Sequence, residues 1–283
     1  MINRAEPARQ EVANDAVSLF EHYLPEVWAI VGSNARYRKK VLEAYLHRYD
    51  LVVNTLRRNA SFSAKATIFD LIWEASNNGE PTRTYLQFMN EKVGSFRSLL
   101  QSQHNSAFRQ LCLDMVLKHS DTGSEYKNHF SEIAVGEMLS RHQFELVQIE
   151  YELTNRRKID FAFKKESSTF LVEVYNIDFA SDLIDSSRGL RDFLETRLEK
   201  KLNEKLAGAD IAEHTQVALV PVLWGTTSAL EPYQSALKEF DQYGIITPFM
   251  VFSQYRATDG RYQYMFQTAA EYLDNWRSFR VAK

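Results

Sequence analysis

Cysteine is almost missing from this chain: Cys112 is the only one in 283 residues. That excludes an intrachain disulfide and a cysteine-rich zinc site, and it suits a reducing cytoplasm. Proline and glycine are scarce as well, at 6 and 10, too few for a collagenous or linker-rich chain. No run approaches the ~18 apolar residues of a membrane span, and the opening MINRAEPARQEVANDAV lacks the apolar centre of a signal peptide. A cytoplasmic protein without a membrane partner is expected. A strong excess of either charge is also missing. The net charge of −3 gives no global nucleic-acid signature. Residues 1–120 hold 15 Lys and Arg against 12 Asp and Glu, and the remainder 19 against 25. The mildly basic front could approach phosphates, although a solvated helical surface explains the difference about as well. There is no G-x-x-x-x-G-K-[ST] loop, G-x-G-x-x-G turn or G-x-S-x-G elbow, which argues against P-loop, dinucleotide-binding and hydrolase-elbow chemistry.

What is present divides the chain near residue 120. Up to there the apolar residues recur at helical spacing, and little alternates as a strand does. VANDAVSLFEHYLPEVWAI sets Val12, Ala16, Leu19, Phe20 and Tyr23 on one stripe; RKKVLEAYLHRYDLVVNTLRR does so with Val41, Tyr45, Leu46 and Tyr49. Further helices are expected over 64–76, 82–103 and 105–119. After Asp121-Thr122-Gly123 a helix over 125–141 leads into short strand-like runs, 145–152, 158–163 and 169–177. A long helix follows over 189–206, with leucine at 190, 194, 198, 202 and 206, more characteristic of a core face than of a zipper. The run 217–224 has buried-strand character, 230–243 reads as helix, and 247–254 with 262–266 reads as a hairpin around Asp259-Gly260. Helices mixed with near-continuous apolar strands indicate a layered α/β domain over 121–283, preceded by an all-α region over 1–120.

The stretch KIDFAFKKESSTFLVEVYNI, 158–177, carries a carboxylate within each of two apolar runs. A turn centred between Glu166 and Ser167 pairs Asp160 with Glu173 and Lys158 with Tyr175. Cross-strand partners share a face with Cβ atoms ~4.5–5.5 Å apart, so two like charges would meet there and desolvation would aggravate the repulsion. A one-residue slip would part them. If the register holds, a divalent cation resolves the conflict, and hard carboxylate ligands suit Mg²⁺ or Mn²⁺. The alternative is that both strand ends are wet and the acids merely solvated.

The order of elements resembles the PD-(D/E)XK nuclease superfamily: a helix with an acid, Glu132 in SEIAVGEMLSRH; a strand; a strand with Asp160 in RKIDFAF; a hairpin; and a strand with Glu173 in FLVEVYN. The likeness covers about 125–225. It implies a restriction-endonuclease-like mixed sheet flanked by helices, with Glu132, Asp160 and Glu173 binding Mg²⁺ and DNA as substrate. The family lysine, two residues past the glutamate, is here Tyr175, and a phenol carries no positive charge.

Two lysines could replace it. Lys158 lies beside Tyr175 in the expected register, and Lys201 sits on the helix after the hairpin, a place from which family members sometimes draw the cation. Glu132, Asp160, Glu173 and Lys158 are therefore the expected catalytic set. Glu137 could substitute for Glu132, and His119, His129 and His142 lack metal-ligand spacing. Arg36, Arg38, Lys39, Lys40, Arg156 and Arg157 could meet phosphate but read more simply as solvated faces. The expectation is a Mg²⁺-dependent DNA nuclease, as a single chain or a homo-oligomer. A catalytically inactive binding or assembly module of the same fold is the competing reading. A retaining glycosidase suits two opposed carboxylates, but no feature suggests a sugar cleft.

Overall fold

Proline, capping side chains and apolar spacing set the helices of the N-terminal region. In the computed structural model, which describes residues 5–57, 66–118, 125–178, 187–226, 230, 250–257 and 259–272, α1 (Ala5–Tyr23) stops before Leu24-Pro25 and α2 (Pro25–Val31) begins anew. The expected 12–30 stripe is thus two helices. Pro25 has no N–H for the continuing helix and restricts the residue before it, and the first helical position tolerates both effects. The buried stripe of α1 is Ala13, Ala16 and Phe20, continued by Leu24, whereas Val12, Leu19 and Tyr23 lie at its margins. Next come α3 (Ala35–Arg57), α4 (Ile68–Ser76), α5 (Glu80–Leu99), a 3-10 turn (Ser102–His104), α6 (Asn105–Leu117) and α7 (Glu125–Arg141).

The chain divides into two compact units, Met1–Ile133 and Ala134–Lys283, and the division falls inside the continuous helix α7. The first unit is helical. Its core gathers Phe20, Trp28, Tyr45 and Phe69, with Phe20 stacked on Trp28 at 5.4 Å and Tyr45 edge-on to Phe69 at 5.5 Å. A charged side chain is buried in this unit as well. Arg48, on the Val41–Tyr45 face of α3, is 8% exposed and grips Asp70 through Nε at 3.1 Å and Nη2 at 2.7 Å. Asp70 also completes a capping box with Thr67 at the start of α4, so one carboxylate serves a helix end and a buried guanidinium.

Among the described residues the second unit holds one mixed sheet of six strands in sequence order: β1 (Glu145–Glu152), β2 (Lys158–Lys165), β3 (Ser168–Asp178), β4 (Thr215–Thr226), β5 (Met250–Arg256) and β6 (Tyr262–Thr268). The β1–β2, β2–β3 and β5–β6 pairs are antiparallel, and β3–β4 and β4–β5 are parallel. Parallel neighbours need a crossover, and between β3 and β4 it contains α8 (Ser187–Leu206). Strand β4 is buried continuously from Ala218 to Trp224, as befits a parallel strand between two neighbours. In the closing hairpin Gly260 takes φ 84°, a left-handed turn conformation natural to glycine.

The fold class is therefore α/β with a mixed sheet and an N-terminal helical region. Leu202 and Leu206 of the leucine row are half-buried, and Leu206 packs against Leu153, Ile159, Ala162 and Leu171. The side chains of Leu190, Leu194 and Leu198 lie outside the described residues, as does His119 and, apart from Leu230, the helix expected over 230–243. Among the described residues no helix is long and apolar enough to cross a membrane.

Removing one partner of a buried ion pair leaves an uncompensated charge. Asp70→Ala is expected to destabilise the first unit by about 3 kcal/mol, through the stranded Arg48 and the lost cap. The double variant Arg48→Met, Asp70→Ala should recover part of that loss. Hydrogen exchange of the α3 and α4 amides measures both, and equal protection in the single and double variants would contradict a buried charge as the cause.

Candidate active site

The β2–β3 hairpin turns where its polar centre demands. Lys165 pairs with Ser168, and Glu166 adopts φ 56°, the positive φ that a two-residue hairpin loop requires. The ladder then runs without slip to Phe161 opposite Val172. One step further, the same register sets Asp160 across from Glu173. Here side-chain chemistry replaces backbone pairing: Asp160 Oδ2 accepts the Val174 N–H at 2.6 Å. A carboxylate that takes a backbone donor has part of its charge satisfied within the sheet.

Glu173 is compensated from another direction. It is only 3% exposed, and α8 brings two ammonium groups to it, Lys201 Nζ at 3.0 Å from Oε1 and Lys205 Nζ at 3.1 Å from Oε2. Lysines four apart lie one above the other on a helix face, so one turn of α8 brackets the carboxylate. Lys205 also donates to the Lys158 carbonyl. Lys201 Nζ stands 5.8 Å from the centroid of the Tyr175 ring. Burial disfavours the charged form of Lys201, but the charge and hydrogen bond of Glu173, with smaller contributions from Asp160 and Tyr175, outweigh it. The net effect raises its pKa above the ordinary lysine value.

Lys158 takes a different place. Its half-exposed side chain reaches Glu150 of β1, with Nζ 3.2 Å from Oε2. Glu150 lies between the pairs Ile149–Phe161 and Tyr151–Ile159, across from Asp160, and has φ 58°. A non-glycine residue at that φ within a strand is uncommon. The β1–β2 ladder also slips between Leu146 and Gln148. Glu150, Asp160 and Glu132, which the unbroken helix α7 carries, each offer a carboxylate oxygen, and these oxygens lie within 4.8 Å of one another. His129 Nδ1 lies 3.4 Å from Glu132. Glu137, 1% exposed, pairs instead with Arg141 one turn along the helix.

Of the expected acids, Glu132 and Asp160 thus share one group, and Glu173 is held by two lysines. The acid that sequence reasoning missed is Glu150. Its one signal was an acidic position in the strand before Asp160, and the five-residue β1–β2 connection left its register open. Arg156 and Arg157 are exposed in that connection. Comparison with family models, with curated proteins and with solved structures gives no match for this chain.

The raised pKa of Lys201 makes its contribution to stability dependent on alkaline pH. A group whose pKa is higher in the folded state stabilises fully below the unfolded value, about 10.4 for lysine, and loses that contribution as pH rises through the folded value. Thermal midpoints of the wild type and Lys201→Met, followed from about pH 7 to about pH 11.5, should therefore converge at the alkaline end. A gap that is constant over the whole range would contradict a charged Lys201 bound to Glu173.

Proposed function

We propose that this chain is a Mg²⁺-dependent phosphodiesterase that acts on DNA, with a restriction-endonuclease-like core formed by α7, β1–β4 and α8. The observation that carries the reading is the carboxylate group of Glu132 on α7, Glu150 on β1 and Asp160 on β2, beside a strand, β3, whose Glu173 is paired with Lys201 of α8. The element order α7–β1–β2–β3–α8–β4 supports it, because it follows the order of the resembled superfamily.

The donor set fits the metal. Three carboxylates with oxygens this close repel one another without a cation, and Mg²⁺ favours such hard ligands together with water. Glu132, Glu150 and Asp160 would hold it. When bound, it would offset charge on a phosphoryl oxygen and acidify the attacking water. The chain's own residues supply the rest. Lys201 keeps a positive charge near neutral pH, as Tyr175 cannot, and so provides electrostatic stabilisation for charge that develops at a scissile phosphate. Glu173 anchors that ammonium, and the hydrogen bond from the Val174 N–H fixes the Asp160 carboxylate. A fixed dipole or charge needs no reorganisation during the reaction, which is the source of its catalytic value. Lys158 balances Glu150 at the exposed rim.

The competing reading, a binding module of this fold without catalysis, is favoured by Tyr175 at the usual lysine position. The two readings part in one assay. Mg²⁺ or Mn²⁺ should raise the thermal midpoint of the wild type, by the equivalent of about 2.7 kcal/mol at a hundredfold excess over Kd, and should support nicking of plasmid or single-stranded DNA. Asp160→Asn with Glu150→Gln should abolish the metal shift, and Lys201→Ala should slow cleavage by about 10²-fold or more while keeping the shift. An unchanged shift in the acid variant would place the metal elsewhere. Absence of cleavage of any DNA form would favour the binding module.

A further inference from the structure

We infer that Tyr175 is a positioning residue whose ring seats the Lys201 ammonium, so that helix α8 rather than strand β3 supplies the cation beside Glu173. The consequence for catalysis rests on the phosphodiesterase reading, whereas the seat itself rests on geometry alone.

Glu173 and Tyr175 are two residues apart on β3, so their side chains leave the same face of the sheet. Lys201 Nζ touches both, 3.0 Å from the Glu173 carboxylate and 5.8 Å from the ring centroid of Tyr175. The second distance is within the ~6 Å over which an ammonium is attracted to an aromatic face. The Lys201 side chain is 30% exposed, and partial desolvation strengthens such a contact. A lysine at position 175 would project from this same face. Here the ammonium comes from α8, and the receiving surface is an aromatic ring with a negative face.

Lys205 cannot take over the role of Lys201, because it is already committed to Glu173 Oε2 and the Lys158 carbonyl. Glu173 is therefore shared by two ammonium groups. A third, from position 175, would leave three like charges around one buried carboxylate. Tyr175→Lys, which rebuilds the superfamily pattern, should thus displace Lys201 and lower activity. The hydroxyl has no part in the seat, so Tyr175→Phe should be neutral. Tyr175→Leu fills much of the volume without the ring quadrupole.

The experiment compares Tyr175→Phe, Tyr175→Leu and Tyr175→Lys in the full chain with two readouts. The first is NMR of ¹³C-lysine-labelled protein, with the Lys201 ε-methylene assigned through Lys201→Arg. An upfield ring-current shift is expected in the wild type and Tyr175→Phe, and its loss in the other two. The second is Mg²⁺-dependent DNA cleavage, with Tyr175→Phe within about twofold of the wild type and Tyr175→Leu and Tyr175→Lys reduced about tenfold in kcat at little-changed KM. An unshifted Lys201 in the wild type, full activity in Tyr175→Leu, or activity above wild type in Tyr175→Lys would overturn the inference. Should Tyr175→Leu fail to fold, Tyr175→Phe against Tyr175→Lys decides. If the wild type cleaves no DNA, the phosphodiesterase reading fails by itself, and the ring-current shift alone upholds or overturns the seat.

Discussion

A carboxylate buried to 3% exposure, Glu173, and the two lysines that one turn of α8 sets against it form the constraint on which the second unit depends. Alone, an ionised carboxylate at that depth would cost several kcal/mol or more. With both oxygens facing ammonium groups, it becomes the link between strand β3 and the helix that crosses from it to β4. Neighbouring contacts keep that link in register. Asn155, in the β1–β2 connection, donates to the carbonyls of Lys205 and Ala207 at 2.9 and 3.0 Å, satisfying acceptors that a helix C-terminus leaves open. Leu206 enters the small apolar cluster of Leu153, Ile159, Ala162 and Leu171 beside it.

With Glu173 satisfied by α8, the remaining acids sort differently. Asp160 uses one oxygen to receive the Val174 N–H where the backbone ladder ends. It also joins Glu150 and Glu132 in a group that gathers three carboxylate oxygens within 4.8 Å. Negative charge therefore collects on Glu132, Glu150 and Asp160, and positive charge on Lys201 and Lys205 beside Glu173. On the proposed reading, the three acids would hold a hard cation and Lys201 would be the fixed ammonium nearby.

Much of this was legible in the sequence, and the parts that were not have physical reasons. The β2–β3 register was legible because the polar centre Glu166-Ser167 leaves one two-residue turn between two apolar runs, and pairing follows from the turn. Helix α7 was expected at the bounds it has, Glu125–Arg141, and α4 to α6 close to theirs. The break at Leu24-Pro25 was hidden by an apolar stripe that continues across it. Glu150 was hidden because its position depends on a ladder slip and a left-handed φ, neither of which periodicity encodes. Pairing arithmetic favours Lys158 over Lys201, but it says nothing of where a long side chain turns. A cross-strand neighbour with a long side chain can turn to any acid in reach, and Lys158 turns to Glu150.

The most direct test of the account is the anomalous scattering of Mn²⁺ soaked into a crystal of the wild-type protein. A peak bounded by Glu150, Asp160 and Glu132 is expected, with Lys201 still beside Glu173. A peak only at some other place, or none among these three carboxylates at saturating Mn²⁺, would contradict it.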